Sequence, residues 1–210
     1  IDHIFLTHSH LDHVTSIPFL LDTVGWQRSK PVTLHAIEET LEILSTHLFN
    51  WKLWPDFRQI PDAKTPVLRF APVRVGVPVR LTGDRIITPV PANHVVPAVG
   101  FHLDSGSASL VFTGDTTSQH DIWKYINKIN NLKYIIIESA LSDSEQELAV
   151  IAKHLCPGLL AEELAKLQLD PAIYVTHFKP REAELIMEQI VARVPGRRMH
   201  MLEQNQVFEF

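Results

Sequence analysis

The chain has 210 residues, 45% of them hydrophobic and 20% charged, a composition able to build one large globular domain or two small ones. No apolar run reaches the roughly 20 residues a membrane-spanning helix needs, and a formal charge of −5 supplies no basic field for a long polyanion. The single cysteine, Cys156, excludes an internal disulfide framework and a thiolate metal cluster.

In chain order, "IDHIFL" reads as a buried strand already in progress at Ile1, so residues are expected to have preceded it. "TSIPFLLDTVG" reads as a helix ending at Gly25, "PVTLHA" as a strand, and "IEETLEILSTHL" as a helix with acids near its start. Residues 47–66 are irregular, proline-bounded and aromatic. "VLRFAPV", "RIITPVPA", "AVGFHL" and "SLVFTGD" read as strands, and "HDIWKYINKI" as a helix. "YIIIES" and "AIYVTHF" are further strands, "PGLLAEELAKLQL" and "REAELIMEQIVARV" helices, and "QVFEF" a last short strand. No internal repeat or linker-like stretch divides the chain. Residues 1–210 are therefore expected to form one α/β domain with sheet in both halves.

Four ligand-type side chains, His8, His10, Asp12 and His13, follow the first strand within six positions. In extended backbone His8, His10 and Asp12 point the same way, while His13, at a helix start, points elsewhere. Such a segment can serve two adjacent metals. Imidazole and carboxylate suit zinc, iron or manganese when thiolate is absent. A lone His-x-His is more often an incidental polar loop, but three further candidates close later apolar runs. His94 ends "ITPVPANH", His177 ends "AIYVTH", and Asp115 ends "SLVFTGD" behind Gly114, which lets the backbone approach closely.

In this order "THSHLDH", "NHV", "TGDT" and "THF" resemble the ligand motifs of the metallo-β-lactamase superfamily, nearly from Ile1 to Phe210. The resemblance implies a four-layer αββα sandwich, lacking part of its usual N-terminal strands in this chain. It also implies two divalent metal ions, zinc foremost, with manganese or iron as alternatives. His8, His10 and His94 look like ligands of one, Asp12, His13 and His177 of the second, and Asp115 the bridging carboxylate.

"NHVVPAVGFHLD", "IIIESALSDSEQELAVIAKHLCPGLLAEELAKL" and "IYVTHFKP" further resemble the class II 3′,5′-cyclic-nucleotide phosphodiesterases. That implies a small cyclic nucleotide, cAMP or cGMP, opened to its 5′-nucleotide. His154, in "KHLCPGLL", resembles a histidine of this class and is expected to support the scissile phosphate or protonate the leaving oxygen. Asp12, Asp115 and His154 are thus the residues with an implied catalytic part. After "TGDT" the class continues with glycine and proline, whereas Thr117, Ser118 and Gln119 stand here, a departure beside the expected metals.

An RNA-processing nuclease resembling tRNase Z is the alternative within the superfamily, and a non-catalytic scaffold the alternative outside enzymes. The first would want a basic RNA-gripping surface, and the second would have lost ligands. "FNWKLWPDF", with Phe49, Trp51, Trp54 and Phe57, is read as a homodimer contact slightly ahead of a lid or a purine stack. Lys179 reads as a phosphate contact or a solvated lysine. His3, His35, His47, His102, His120 and His200 read as structural. No membrane partner is expected. The cytoplasm is the expected location, with the periplasm left open by whatever preceded Ile1.

Overall fold

The first apolar run forms β1 (His3–Phe5), which pairs in parallel with β2 (Val32–Ala36), itself parallel to β3 (Leu68–Pro72). These strands belong to the first of two units in a computed structural model describing residues 1–210. That unit comprises residues 1–74 with 96–98, and the second comprises 75–95 with 99–210. In the first unit α1 (Leu11–Val14), α2 (Ser16–Val24) and α3 (Glu38–His47) connect the strands. Leu21, Leu34, Leu44 and Leu68 are buried in its core. α2 passes into a 3-10 turn, Gly25–Gln27, so the helical segment runs two residues past the expected end at Gly25, where an added Cβ would lie 2.5 Å from Val67 Cγ1.

Residues 48–66 contain no helix and no named strand, as their composition suggests. Their aromatic residues divide, however. Phe49 and Phe57 are core residues, and Trp54 is half-buried, edge-on to Phe19 at 5.1 Å. Burial of large rings dominates here, leaving Trp51 and Leu53 as the exposed large hydrophobics of that stretch.

His35 is buried on β2, stacked on Phe5 at 4.3 Å, with its Nε2 3.0 Å from Nδ1 of His3. Burial, and then the neighbouring His3, lower its pKa from 6.5 to about 4. Between those values the unfolded chain binds the proton that the folded chain refuses. Stability is therefore full above pH 6.5 and falls as the pH drops towards 4. Urea unfolding across that window should show the decline, and His35→Phe should flatten it.

The second unit holds a seven-stranded sheet in the order β10-β9-β8-β7-β6-β5-β4. Its strands are β4 (Val79–Arg80), β5 (Ile86–Pro91), β6 (Val99–Asp104) and β7 (Ser109–Phe112), then β8 (Leu132–Glu138), β9 (Ala172–Thr176) and β10 (Met199–Met201). β4 to β7 pair antiparallel and β7 to β10 parallel, so β5, β7, β8 and β9 all run in one direction. Helices α4 (Asp121–Ile126), α6 (Pro157–Leu164) and α7 (Ala183–Arg193) supply Ile122, Ile126, Leu160, Ile186 and Ile190 to a core with Ile135, Ile137, Ile173 and Val175 of the sheet. α5 (Gln146–Ala152) lies between β8 and α6.

"QVFEF" is not a strand. The sheet edge beside β9 is taken by β10, seven residues before Phe208. Phe208 instead packs on the rings of Tyr134 and Tyr174, at 5.1 and 4.8 Å, and Lys133 Nζ donates to the Glu209 carbonyl at 2.8 Å.

Candidate metal centre

In the first unit the ligand-rich stretch turns helical earlier than its alternation suggests. His10 caps α1, its carbonyl accepting from the N–H groups of His13 and Val14 at 3.1 and 3.2 Å. Asp12 and His13 thus share the first helical turn, and Asp12 does not continue an extended line from His8 and His10. The outcome is two side-chain pairs. His8 Nε2 lies 3.0 Å from His10 Nδ1, and His13 Nε2 lies 3.5 Å from Asp12 Oδ2. His8 is fully buried, and its Nδ1 is 3.0 Å from Thr7 Oγ1, which fixes the ring orientation.

In the second unit His94, Asp115, Glu138 and His177 all lie at or just beyond the C-terminal ends of the four co-directional strands β5, β7, β8 and β9. Such sheet edges are where loops carry chemistry in α/β proteins. His94 Nδ1 donates to the Lys153 carbonyl at 3.0 Å. A carbonyl only accepts, so the proton sits on Nδ1 and Nε2 carries the lone pair a metal needs. Asp115 is buried behind Gly114 (φ +61°), and its Oδ2 is 3.3 Å from His177 Nε2. His177 itself adopts φ +66°, in the left-handed region uncommon for a residue with a Cβ.

The donor set fits divalent ions. Two ligands about 2.0–2.1 Å from a tetrahedral zinc lie roughly 3.3 Å apart, and the three pairs within the units measure 3.0, 3.5 and 3.3 Å. These residues are members of His and Asp groups that could hold a metal.

His154 stands beside two of these residues. Its ring is 4.9 Å from His94 and stacks on His177 at 5.2 Å. Its Nδ1 donates to Glu138 Oε1 at 2.8 Å, and Glu138 is fully buried. The same carboxylate accepts from Thr116 N–H at 2.9 Å and Leu155 N–H at 3.1 Å. Burial raises the Glu138 pKa above the ordinary carboxylate range, against the pull of His154 and these backbone donors.

The Thr117–Gln119 departure ties this edge together. Thr117 N–H donates to the Asn93 carbonyl at 2.9 Å and its hydroxyl to the His154 carbonyl at 3.2 Å. Asn93 Nδ2 donates to the Ser118 carbonyl at 3.0 Å, and Gln119 Nε2 to Pro91 at 3.2 Å. Lys153 Nζ reaches Asn93 Oδ1 and the His94 carbonyl at 3.1 and 3.2 Å. The sequence reading passes over Glu138 and Lys153. Glu138 had a signal, since an acid closes the apolar "YIII" at the same strand-end location as Asp115. Lys153 had none, because its role comes from a left-handed helix C-cap (φ +52°). Lys179 is paired with Glu145 at 2.7 Å.

The family described as "Beta-lactamase superfamily domain" matches residues 1–194. A probable 3′,5′-cyclic-nucleotide phosphodiesterase of Yersinia pestis is 26% identical over 182 residues, covering 78% of this chain and 50% of that protein. The chloroplastic tRNase Z TRZ2 of Arabidopsis thaliana is 25% identical over 227 residues, covering 90% of this chain and 60% of its own length. The chain thus spans about half to three-fifths of the length of these relatives. Among solved structures, unliganded yeast PDE1 superposes with a TM-score of 0.80 at 20% identity, over 96% of this chain and 66% of that one. At that identity the likeness speaks to the fold, which is the metallo-β-lactamase fold. No helix is long and apolar enough to cross a membrane.

Proposed function

Since this chain belongs to the β-lactamase superfamily, we propose that it is a metal-dependent phosphodiesterase opening 3′,5′-cyclic nucleotides to 5′-nucleotides. The observation that carries the reading is the His154–Glu138 pair set against His94 and His177. A proton donor beside candidate metal ligands suits a reaction whose leaving alkoxide needs protonation. Similarity to a cyclic-nucleotide phosphodiesterase and to a tRNase Z supports the same bond class, a phosphodiester.

His8, His10 and His94 would hold one ion and Asp12, His13 and His177 the other, with Asp115 available to both. Membership of the candidate ligand groups supports this division, since Asp115 belongs to both. Two divalent ions, when bound, would supply a water ionised near neutral pH and positive charge against the phosphate. This chain's own groups do the rest. Thr7 and the Lys153 carbonyl hold the rings of His8 and His94, and Glu138 holds His154 so that Nε2 can give a proton to the departing 3′ oxygen. The side chain of Asp12 is 63% exposed, open to solvent beside His13.

An RNA-processing nuclease is the second reading, favoured by the tRNase Z match across 90% of the chain. The charge of −5 weighs against it. Assaying zinc- and manganese-reconstituted protein with cAMP, cGMP and a precursor tRNA separates the two. Cyclic-nucleotide turnover is expected, whereas RNA cleavage without it would reverse the assignment.

A further inference from the structure

The second unit contains a cavity of about 330 Å³ that the chemistry described so far does not use. Leu141, Leu148, Ala152 and Phe178 line it, and it opens on His154 and His177. Its size lies at the small end of small-molecule sites. Its walls are aliphatic and aromatic, surfaces that gain by covering the flat face of a ring and lose nothing in hydrogen bonds when they do. Leu148, on α5, is 45% exposed, so this wall stands open to solvent.

Lys179 completes the lining, and its Nζ donates to Glu145 Oε1 at 2.7 Å. The second carboxylate oxygen of Glu145, Oε2, is shielded from water and accepts no hydrogen bond. A buried acceptor left in that state is uncommon and costs stability unless a donor arrives. The Lys179 ammonium, held by Glu145, therefore lines an apolar slot that opens on His154.

We infer that this cavity is the nucleobase subsite, with Leu148 and Phe178 covering the base and the Lys179–Glu145 pair reading its polar edge. The inference rests on the phosphodiesterase reading and specifies how a cyclic nucleotide differs from a bare cyclic phosphate at this site. Lys179 donates to ring nitrogen or carbonyl acceptors, and Glu145 accepts from an exocyclic amino group. Both purines of the common cyclic nucleotides carry such groups.

The test compares cAMP with methyl β-D-ribofuranoside 3′,5′-cyclic phosphate, which has the same cyclic diester and no base, on metal-reconstituted protein. The parent should prefer cAMP by tenfold or more in kcat/KM. Leu148→Trp, which fills the slot from an exposed helix position, should reduce that preference at least tenfold, mainly through KM. Lys179→Met should reduce it severalfold. Equilibrium dialysis of labelled adenosine with the metal-free chain gives a readout independent of turnover, and Leu148→Trp should weaken binding at least fivefold. Equal turnover of the two substrates by the parent, or a preference untouched by Leu148→Trp, overturns the subsite and leaves the phosphodiesterase reading standing. Hydrolysis of neither cyclic phosphate overturns both.

Discussion

Asp115→Ala is expected to lower turnover by at least about three orders of magnitude and to reduce bound metal, while the chain still folds. The fold should survive because the backbone here is held without the side chain. Gly114 makes its left-handed turn, Thr116 N–H is fixed by Glu138, and Thr116 Oγ1 accepts from Asn93 N–H at 3.0 Å. The chemistry should not survive, because in the proposed arrangement this carboxylate is the one ligand common to both ions. Its loss also removes the anion 3.3 Å from His177 Nε2 in a buried setting, where charge is weakly screened. Asp115→Asn keeps the shape and drops the charge, so it should retain more metal than alanine but little activity. Metal stoichiometry, thermal melting and turnover separate these outcomes. Near-parental turnover of Asp115→Ala would show that the two-ion assignment is wrong.

Much of this edge was legible because strands announce their ends. Asp115, His94 and His177 each close an apolar run, and the sheet places three such ends on one side because β5, β7 and β9 run the same way. What the sequence hid was local geometry. Alternation from His8 to Asp12 looks extended, yet α1 begins at Leu11, since the His10 carbonyl can accept the first helical hydrogen bonds. "QVFEF" alternates like a strand, but a sheet edge has room for one neighbour, and β10 occupies it. β4 spans two residues and α5 seven, lengths at which periodicity carries little information. Aromatic residues in irregular sequence were misleading for another reason. Phe49 and Phe57 follow no periodic pattern, yet each buries a full ring.

His154→Ala is the second large effect, and it separates proton transfer from metal binding. His154 is not a member of either candidate ligand group, so metal content should stay at the parental level while kcat for cAMP falls by about 10²–10³. The side chain is 17% exposed, so its removal opens little of the core. Three N–H donors, from His154, Thr116 and Leu155, converge on Glu138, and they favour its ionised form although burial opposes it. Glu138→Gln would set an amide N–H₂ against one of these donors. It should therefore cost both stability and turnover, whereas His154→Ala should cost mainly turnover. The decisive comparison uses a substrate whose leaving group needs no proton. If His154 protonates the departing 3′ oxygen, the alanine variant should lose much less activity on bis(4-nitrophenyl) phosphate than on cAMP, because nitrophenolate leaves unassisted. A histidine that only braces His94 and His177 would instead depress both substrates alike and release metal.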